Sequence, residues 1–159
     1  WTMGGDGISR VWHPGIHENK TQGWAGAPDI IAEYKGQLIL GDLKTSNGPY
    51  YSRWPDSETP KGEYGKRRAG FVKYTKCQLQ LAAYSLAIEH TIDLVPEIFM
   101  TFVATRESVQ VFAIQSSTIA KYKQKWLDTV DKYYNEILPA QQETKIEMEG
   151  IDGDTKEHQ

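Results

Sequence analysis

Cysteine is nearly missing from this chain: Cys77 stands alone among 159 residues. An internal disulfide is therefore excluded, as is any four-cysteine zinc or iron-sulfur site built from this chain, and a reducing compartment is the expected setting. Long apolar runs are missing too. None approaches the ~20 residues that a membrane-spanning helix requires, and no signal peptide stands out. The expectation is a protein without membrane partners that works inside the cell, in the cytoplasm.

A strong excess of one charge is also lacking, with 18 basic residues against 21 acidic ones and a formal net charge of -3. The distribution matters more than the total. Residues 141–159 hold six acidic and two basic side chains, which leaves 16 basic against 15 acidic in the rest. Residues 61–76 carry Lys61, Lys66, Arg67, Arg68, Lys73 and Lys76 against Glu63 alone. An acidic tail masks a locally basic body, so the net charge does not argue against a polyanionic partner. A hydrophobic share of 39% and a charged share of 25% are ordinary for a globular protein, and the length suits one domain with its own core.

Along the chain, residues 1–27 show weak periodicity, with short strands expected over 8–12 and 16–18. Apolar-rich runs at 30–34 and 38–40 meet at Lys35-Gly36, which reads as a tight hairpin. An irregular stretch is expected from 47 to 75, broken by Pro49, Pro55 and Pro60. A helix is expected over 76–90, with Leu79, Ala82, Ala83, Leu86 and Ala87 on its apolar face. Residues 97–105 and 108–115 read as a second hairpin, buried largely on both faces. A final helix capped by Ser116 or Ser117 repeats Ile119, Tyr122, Trp126, Val130, Tyr133 and Ile137 at three- and four-residue steps, and is expected to stop at Pro139. The acidic, aromatic-poor residues 140–159 read as a disordered tail. The fold class is α/β, a single domain over residues 1–139 with a mixed central β-sheet flanked by helices.

The first hairpin carries the chemistry. If Tyr34 faces Gln37 across the turn, Asp29 falls opposite Asp42, and strand alternation puts Lys44 on the same face. Like charges opposite one another on a sheet repel. A divalent cation resolves that conflict, because hard carboxylate oxygens at this separation suit Mg2+ or Mn2+. The plainer alternative is a pair of unrelated surface aspartates, with Lys44 neutralising Asp42. Gln80 and Tyr84 stand one helical turn apart farther along. The six cations of residues 61–76 are interleaved with Tyr50, Tyr51, Trp54, Tyr64, Phe71 and Tyr74 in and around the irregular stretch. That mixture suits a clamp on single-stranded nucleic acid, and it equally suits a solvated loop whose aromatics fold back on the core.

Pro28-Asp29 followed by Asp42-Leu43-Lys44 resembles the PD-(D/E)XK nuclease superfamily. The continuation Thr45-Ser46 and the run Gln80-Leu81-Ala82-Ala83-Tyr84 are similar to its RecB-type exonuclease branch, particularly the group of the mitochondrial genome maintenance exonuclease with its phage and bacterial relatives. The likeness runs from about residue 17 to 137, with 49–75 as a longer insertion. It implies a restriction-endonuclease-like core and a metal-dependent DNA nuclease. The implied activity is that of an exonuclease on single-stranded DNA or free ends in recombination, repair or replication, with proteins of those processes as partners, in a bacterial or phage-infected cell. An endonuclease or junction nuclease on the same core, or a DNA-binding module without catalysis, are the alternatives.

On the matching positions, Asp29, Asp42, Lys44 and Gln80 are the implied catalytic residues. Asp29, Asp42 and the backbone carbonyl of Leu43 would ligate Mg2+ or Mn2+, and no iron-sulfur cluster is expected. Lys44 would orient the attacking water or stabilise charge on phosphate, and Gln80 would position Lys44, water or substrate. Thr45, Ser46 and Tyr84, together with Lys66, Arg67 and Arg68, are the expected DNA contacts. The family usually draws one more ligand, a histidine or glutamate, from an upstream helix. His13, His17 and Glu18 are the titratable groups nearest that role here, and the chain reads as lacking the helix itself.

Overall fold

Lys35 and Gly36 both take positive φ, 52° and 78°. That backbone is a type I′ turn, whose twist matches two antiparallel strands, and it joins Ile30–Tyr34 to Gln37–Thr45 with Tyr34 opposite Gln37 and Ile30 opposite Gly41. The register expected from the sequence is therefore present. The computed structural model describes residues 2–3, 11–14 and 23–153.

The elements in chain order are β1 (Thr2–Met3), β2 (Val11–His13), β3 (Trp24–Gly26), β4 (Ile30–Tyr34), β5 (Gln37–Thr45), α1 (Lys61–Ile92), β6 (Ile98–Ala104), β7 (Val109–Gln115), α2 (Ser116–Lys132) and α3 (Leu138–Gly153). One sheet has the order β1-β4-β5-β6-β7, and β2 pairs with β3 as a separate two-stranded ribbon. The five-stranded sheet is mixed, because β5 and β6 run parallel while the other pairs are antiparallel. Parallel neighbours need a long return path, and α1 supplies it. The strand expected over 8–12 overlaps β2, and the one expected over 16–18 lies outside the described residues.

The helix after the hairpin begins fifteen residues earlier than residue 76, so most of the supposed irregular stretch is helical. Three glycines within residues 62–70 disguise it in sequence, since each weakens an isolated helix by about 1 kcal/mol. Tertiary packing overrides that cost: Gly70, Cys77, Gln78, Leu81, Ala82, Ser85 and Ile88 form a buried line along α1. Gly70 is held by close approach, because a Cβ there would lie 2.6 Å from the Pro49 carbonyl oxygen and 2.6 Å from Tyr51 Cδ2. Gly70→Ala is accordingly expected to lower stability by about 1–3 kcal/mol, the usual cost of overpacking, despite alanine's better helix propensity. The urea midpoint measures it, and an unchanged or higher midpoint would remove this account of the glycine.

Leu40, Phe99 and Ile114, register neighbours on one sheet face, pack with Leu81, Ala82 and Ile88 of α1 and Ile119 of α2. A second cluster joins Tyr50, Cys77 and Val103, with Tyr74 and Phe112 against it. Both helices thus cover the same face, in place of helices on either side. The opposite face holds the register row Leu43, Phe102 and Val111, of which Leu43 is 55% and Val111 53% exposed, with Val109 71% exposed beside it. The second hairpin is therefore buried on one face only.

Pro139 does not end the last helix. Residues Tyr133–Ile137 form a π-helical turn in which the Leu138 N–H reaches back to the Tyr133 carbonyl, and α3 continues from there. The turn puts Pro139 in the first turn of a fresh α-helical stretch, where its missing N–H and fixed φ are tolerated. Helical backbone through Gly153 replaces the disordered tail expected over that part of residues 140–159. Residues 154–159 lie outside the described residues.

Candidate active site

The hairpin brings the three charges together as its register demands. Asp29 stands one residue beyond the last β4 pair, and its Oδ2 accepts the Leu43 N–H at 2.8 Å, which ties it to the partner strand next to Asp42. Asp42 is 1% exposed, and Lys44 Nζ lies 2.7 Å from its Oδ2. Alternation along β5 turns Asp42 and Lys44 toward α1, while Leu43 between them faces outward. Thr101, the β6 neighbour of Asp42, is fully buried on that same face.

The electrostatics follow from the burial. Desolvation pushes the Asp42 carboxyl above its usual range; the Lys44 ammonium works against that and the neighbouring Asp29 adds to it. For Lys44, burial favours the neutral form, but the Asp42 carboxylate outweighs it and holds the ammonium above its ordinary value. Cys77 of α1 is buried nearby, and desolvation, reinforced by the Asp42 charge, pushes its thiol up to about 11. A neutral thiol at physiological pH is a packing group here.

At the end of β5 the chain opens onto a cationic cleft of about 450 Å3 lined by Thr45, Ser46, Lys73, Thr105 and Arg106 among others. Lys73 Nζ donates to Ser46 Oγ at 3.1 Å and lies 5.8 Å from the Tyr50 ring centre. Tyr50 is fixed by the Gln110 amide, whose Oε1 accepts the Tyr50 N–H at 2.8 Å and whose Nε2 donates to the Tyr50 carbonyl at 3.1 Å. Thr45 and Ser46 follow Lys44 directly in the chain and both line this cleft. Arg106 was not foreseen: it lies in the turn after β6, and only the β5–β6 pairing brings it near Ser46.

Gln80 and Tyr84 meet each other: Gln80 Nε2 donates to Tyr84 Oη at 2.8 Å. The Tyr84 ring lies over Gly26, where a Cβ would come within 2.3 Å of Cε1. Both line a cleft of about 380 Å3 with Trp24, Lys76 and Trp126. Trp24 was also missed, since nothing in its local sequence distinguishes it. Its Nε1 donates to the Ala83 carbonyl at 3.1 Å, and its ring stacks on His13 with centres 4.3 Å apart.

Lys66, Arg67 and Arg68 lie on α1, correcting their placement in a loop. Arg67 pairs with Glu63 at 2.9 Å and sits 5.6 Å from the Tyr51 ring centre, and Arg68 sits 5.7 Å from that of Trp54. The aromatics of the preceding segment thus pack beneath helix cations, while Trp54 remains 48% exposed. His17 and Glu18 lie outside the described residues. Among the described residues, no group of three or more His, Cys, Asp or Glu side chains stands together as a ready metal cage, and no helix is long and apolar enough to cross a membrane.

No protein-family model matches the chain, and no curated protein matches it. Eleven chains of solved structures do. One, described as "Crystal structure of SSO0001", is 14% identical with a TM-score of 0.39, and the match covers 78% of this chain and 50% of that one. This chain therefore spans about half the length of that protein.

Proposed function

We propose that this domain is a Mg2+- or Mn2+-dependent deoxyribonuclease with a restriction-endonuclease-like core, acting as an exonuclease on single-stranded DNA or free ends inside the cell. The observation that carries the reading is the buried Asp42 carboxylate held beside Asp29 and Lys44 by one hairpin register. A buried anion whose proton affinity is raised by desolvation and by a second carboxylate gains from a divalent cation, so the pair suits one. Asp29 and Asp42 would hold it, with the Leu43 carbonyl and phosphate oxygens as further ligands. A bound ion would supply Lewis acidity and an acidified water.

The chain's own groups account for the rest. Lys44 places a fixed positive charge near the reacting phosphate, partly shielded from water, where it is worth more than in bulk solvent. Lys73 and Arg106 offer charge to an adjacent phosphate in the cleft beyond Ser46. Lys66 and Arg68, exposed on α1, extend that positive surface.

Fluorescent linear and circular DNA, incubated with Mg2+, Mn2+ or EDTA, test the reading. Metal-dependent shortening of linear strands supports it. Binding without cutting under every metal condition would leave a DNA-binding module, and neither binding nor cutting would overturn both. Replacing Lys66, Arg67 and Arg68 together with alanine is expected to flatten the salt dependence of single-strand binding by about two log units per log unit of salt, if each contacts a phosphate. An unchanged slope in a salt titration would remove this helix face from the interface.

A further inference from the structure

The cleft lined by Trp24, Lys76, Gln80, Tyr84 and Trp126 lies outside the proposed metal ligands Asp29 and Asp42, and two indoles wall it. A second cleft of about 280 Å3 shares Trp24 and Trp126 with it. The two indoles meet edge to face, with centres 5.8 Å apart and planes at 77°. Trp24 is locked by its bond to Ala83 and its stack on His13, so its ring does not have to be ordered when something binds.

We infer that this cleft receives one unpaired nucleobase of a single strand whose backbone passes the Asp29, Asp42 and Lys44 site; the inference rests on the nuclease reading above. Aromatic walls give a flat heterocycle a stacking surface whatever its sequence. The polar parts suit the same ligand: the Gln80–Tyr84 pair at the wall can meet a base edge, and exposed Lys76 can meet a phosphate. The lining includes a cation and no carboxylate, as a polyanion requires. The chain ties the cleft to the charged trio on two sides: Tyr84 packs on Gly26, three residues before Asp29, and Lys76 adjoins Cys77, whose thiol feels the Asp42 and Lys44 charges. A base seated here would hold the strand in register against the metal-binding carboxylates.

The test compares an oligothymidylate dodecamer with a dodecamer of the same phosphates and no bases, binding to the wild-type protein in EDTA by fluorescence anisotropy. The base-bearing strand is expected to bind about tenfold or more tighter, within what one stacked base contributes. Trp126→Leu is expected to erase most of that difference, and Trp126→Phe, which keeps a stacking face, to retain it. Equal affinity of the two strands for wild-type protein overturns the pocket, as does a difference that survives in a folded Trp126→Leu protein. Should Trp126→Leu fail to fold, the wild-type comparison and the phenylalanine variant decide. If metal-dependent cleavage persists while the abasic strand binds equally well, the pocket fails and the nuclease stands. If neither strand binds and no DNA is cut, the nuclease reading fails and the pocket with it.

Discussion

Asp42→Asn is expected to abolish cleavage, by about a thousandfold or more, while leaving the domain at least as stable at pH 7 as the parent. The loss follows from removing one of the two carboxylates proposed to hold the metal, a contribution of several kcal/mol to the transition state. The stability has the opposite sign for a physical reason. Asp42 lies 1% exposed, and burial, with Asp29 beside it, raises its carboxyl pKa against the pull of Lys44. The folded protein then binds that proton more tightly than the unfolded chain does. Stability from this group is present at low pH and falls as pH climbs from the ordinary value of 3.8 through the raised one. Asparagine removes that pH dependence, and Lys44, whose side chain is 27% exposed, can turn to water. Urea unfolding of both proteins between pH 3.5 and 7, beside a cleavage assay, checks both halves. Full activity in the variant would sink the catalytic assignment, and a large stability loss at pH 7 would sink the electrostatic one.

Lys44→Ala is expected to slow cleavage by about 10²–10³-fold and also to destabilise the fold. The kinetic loss matches removal of one fixed charge from a preorganised anion site. The stability loss arises because Asp42 is left as a buried carboxylate without its cation, which costs several kcal/mol in full burial. The partial exposure of Lys44 lowers that to about 1–3 kcal/mol. The deficit has a defined pH window. Below the raised Asp42 pKa the carboxyl is protonated and the pair is gone. The ammonium is held above its ordinary 10.5, by Asp42 and in spite of burial, so its stabilising contribution is full up to that value and fades as pH passes the raised one. Joining Asp42→Asn to Lys44→Ala should restore stability lost in the lysine variant alone, because the orphaned charge is removed with it. A double variant no more stable than Lys44→Ala would mean the pair is not the source of the effect.

The charged hairpin was legible because everything that defines it is local: a Lys-Gly turn, strand alternation on either side, and a register that follows from the turn alone. Residues farther apart were harder to place. The start of α1 looked like a loop because Gly62, Gly65 and Gly70 lower helix propensity, whereas the buried line from Gly70 to Ile88 that overrides them exists only after packing. Pro139 looked like a stop because a π-helical turn ahead of it leaves no clear local signature. The pairing of Trp24 with Trp126, and of Arg106 with Ser46, depends on how β3, α1, α2 and the β5–β6 crossover pack. Gln80 and Tyr84 were read as neighbours, which they are, but their hydrogen bond joins them to each other.

The parallel pairing of β5 with β6 has a consequence for the order of assembly. A hairpin closes within microseconds through contacts between near neighbours in sequence, whereas β6 reaches β5 only after a long crossover has been folded over it. Asp29, Asp42 and Lys44 can therefore come together early, while still in water, where their mutual repulsion and attraction are weak. Docking of α1 then withdraws Asp42 from solvent and raises the strength of every charge interaction around it. One stretch of chain supplies the geometry of the site and another, packed over it, supplies its dielectric.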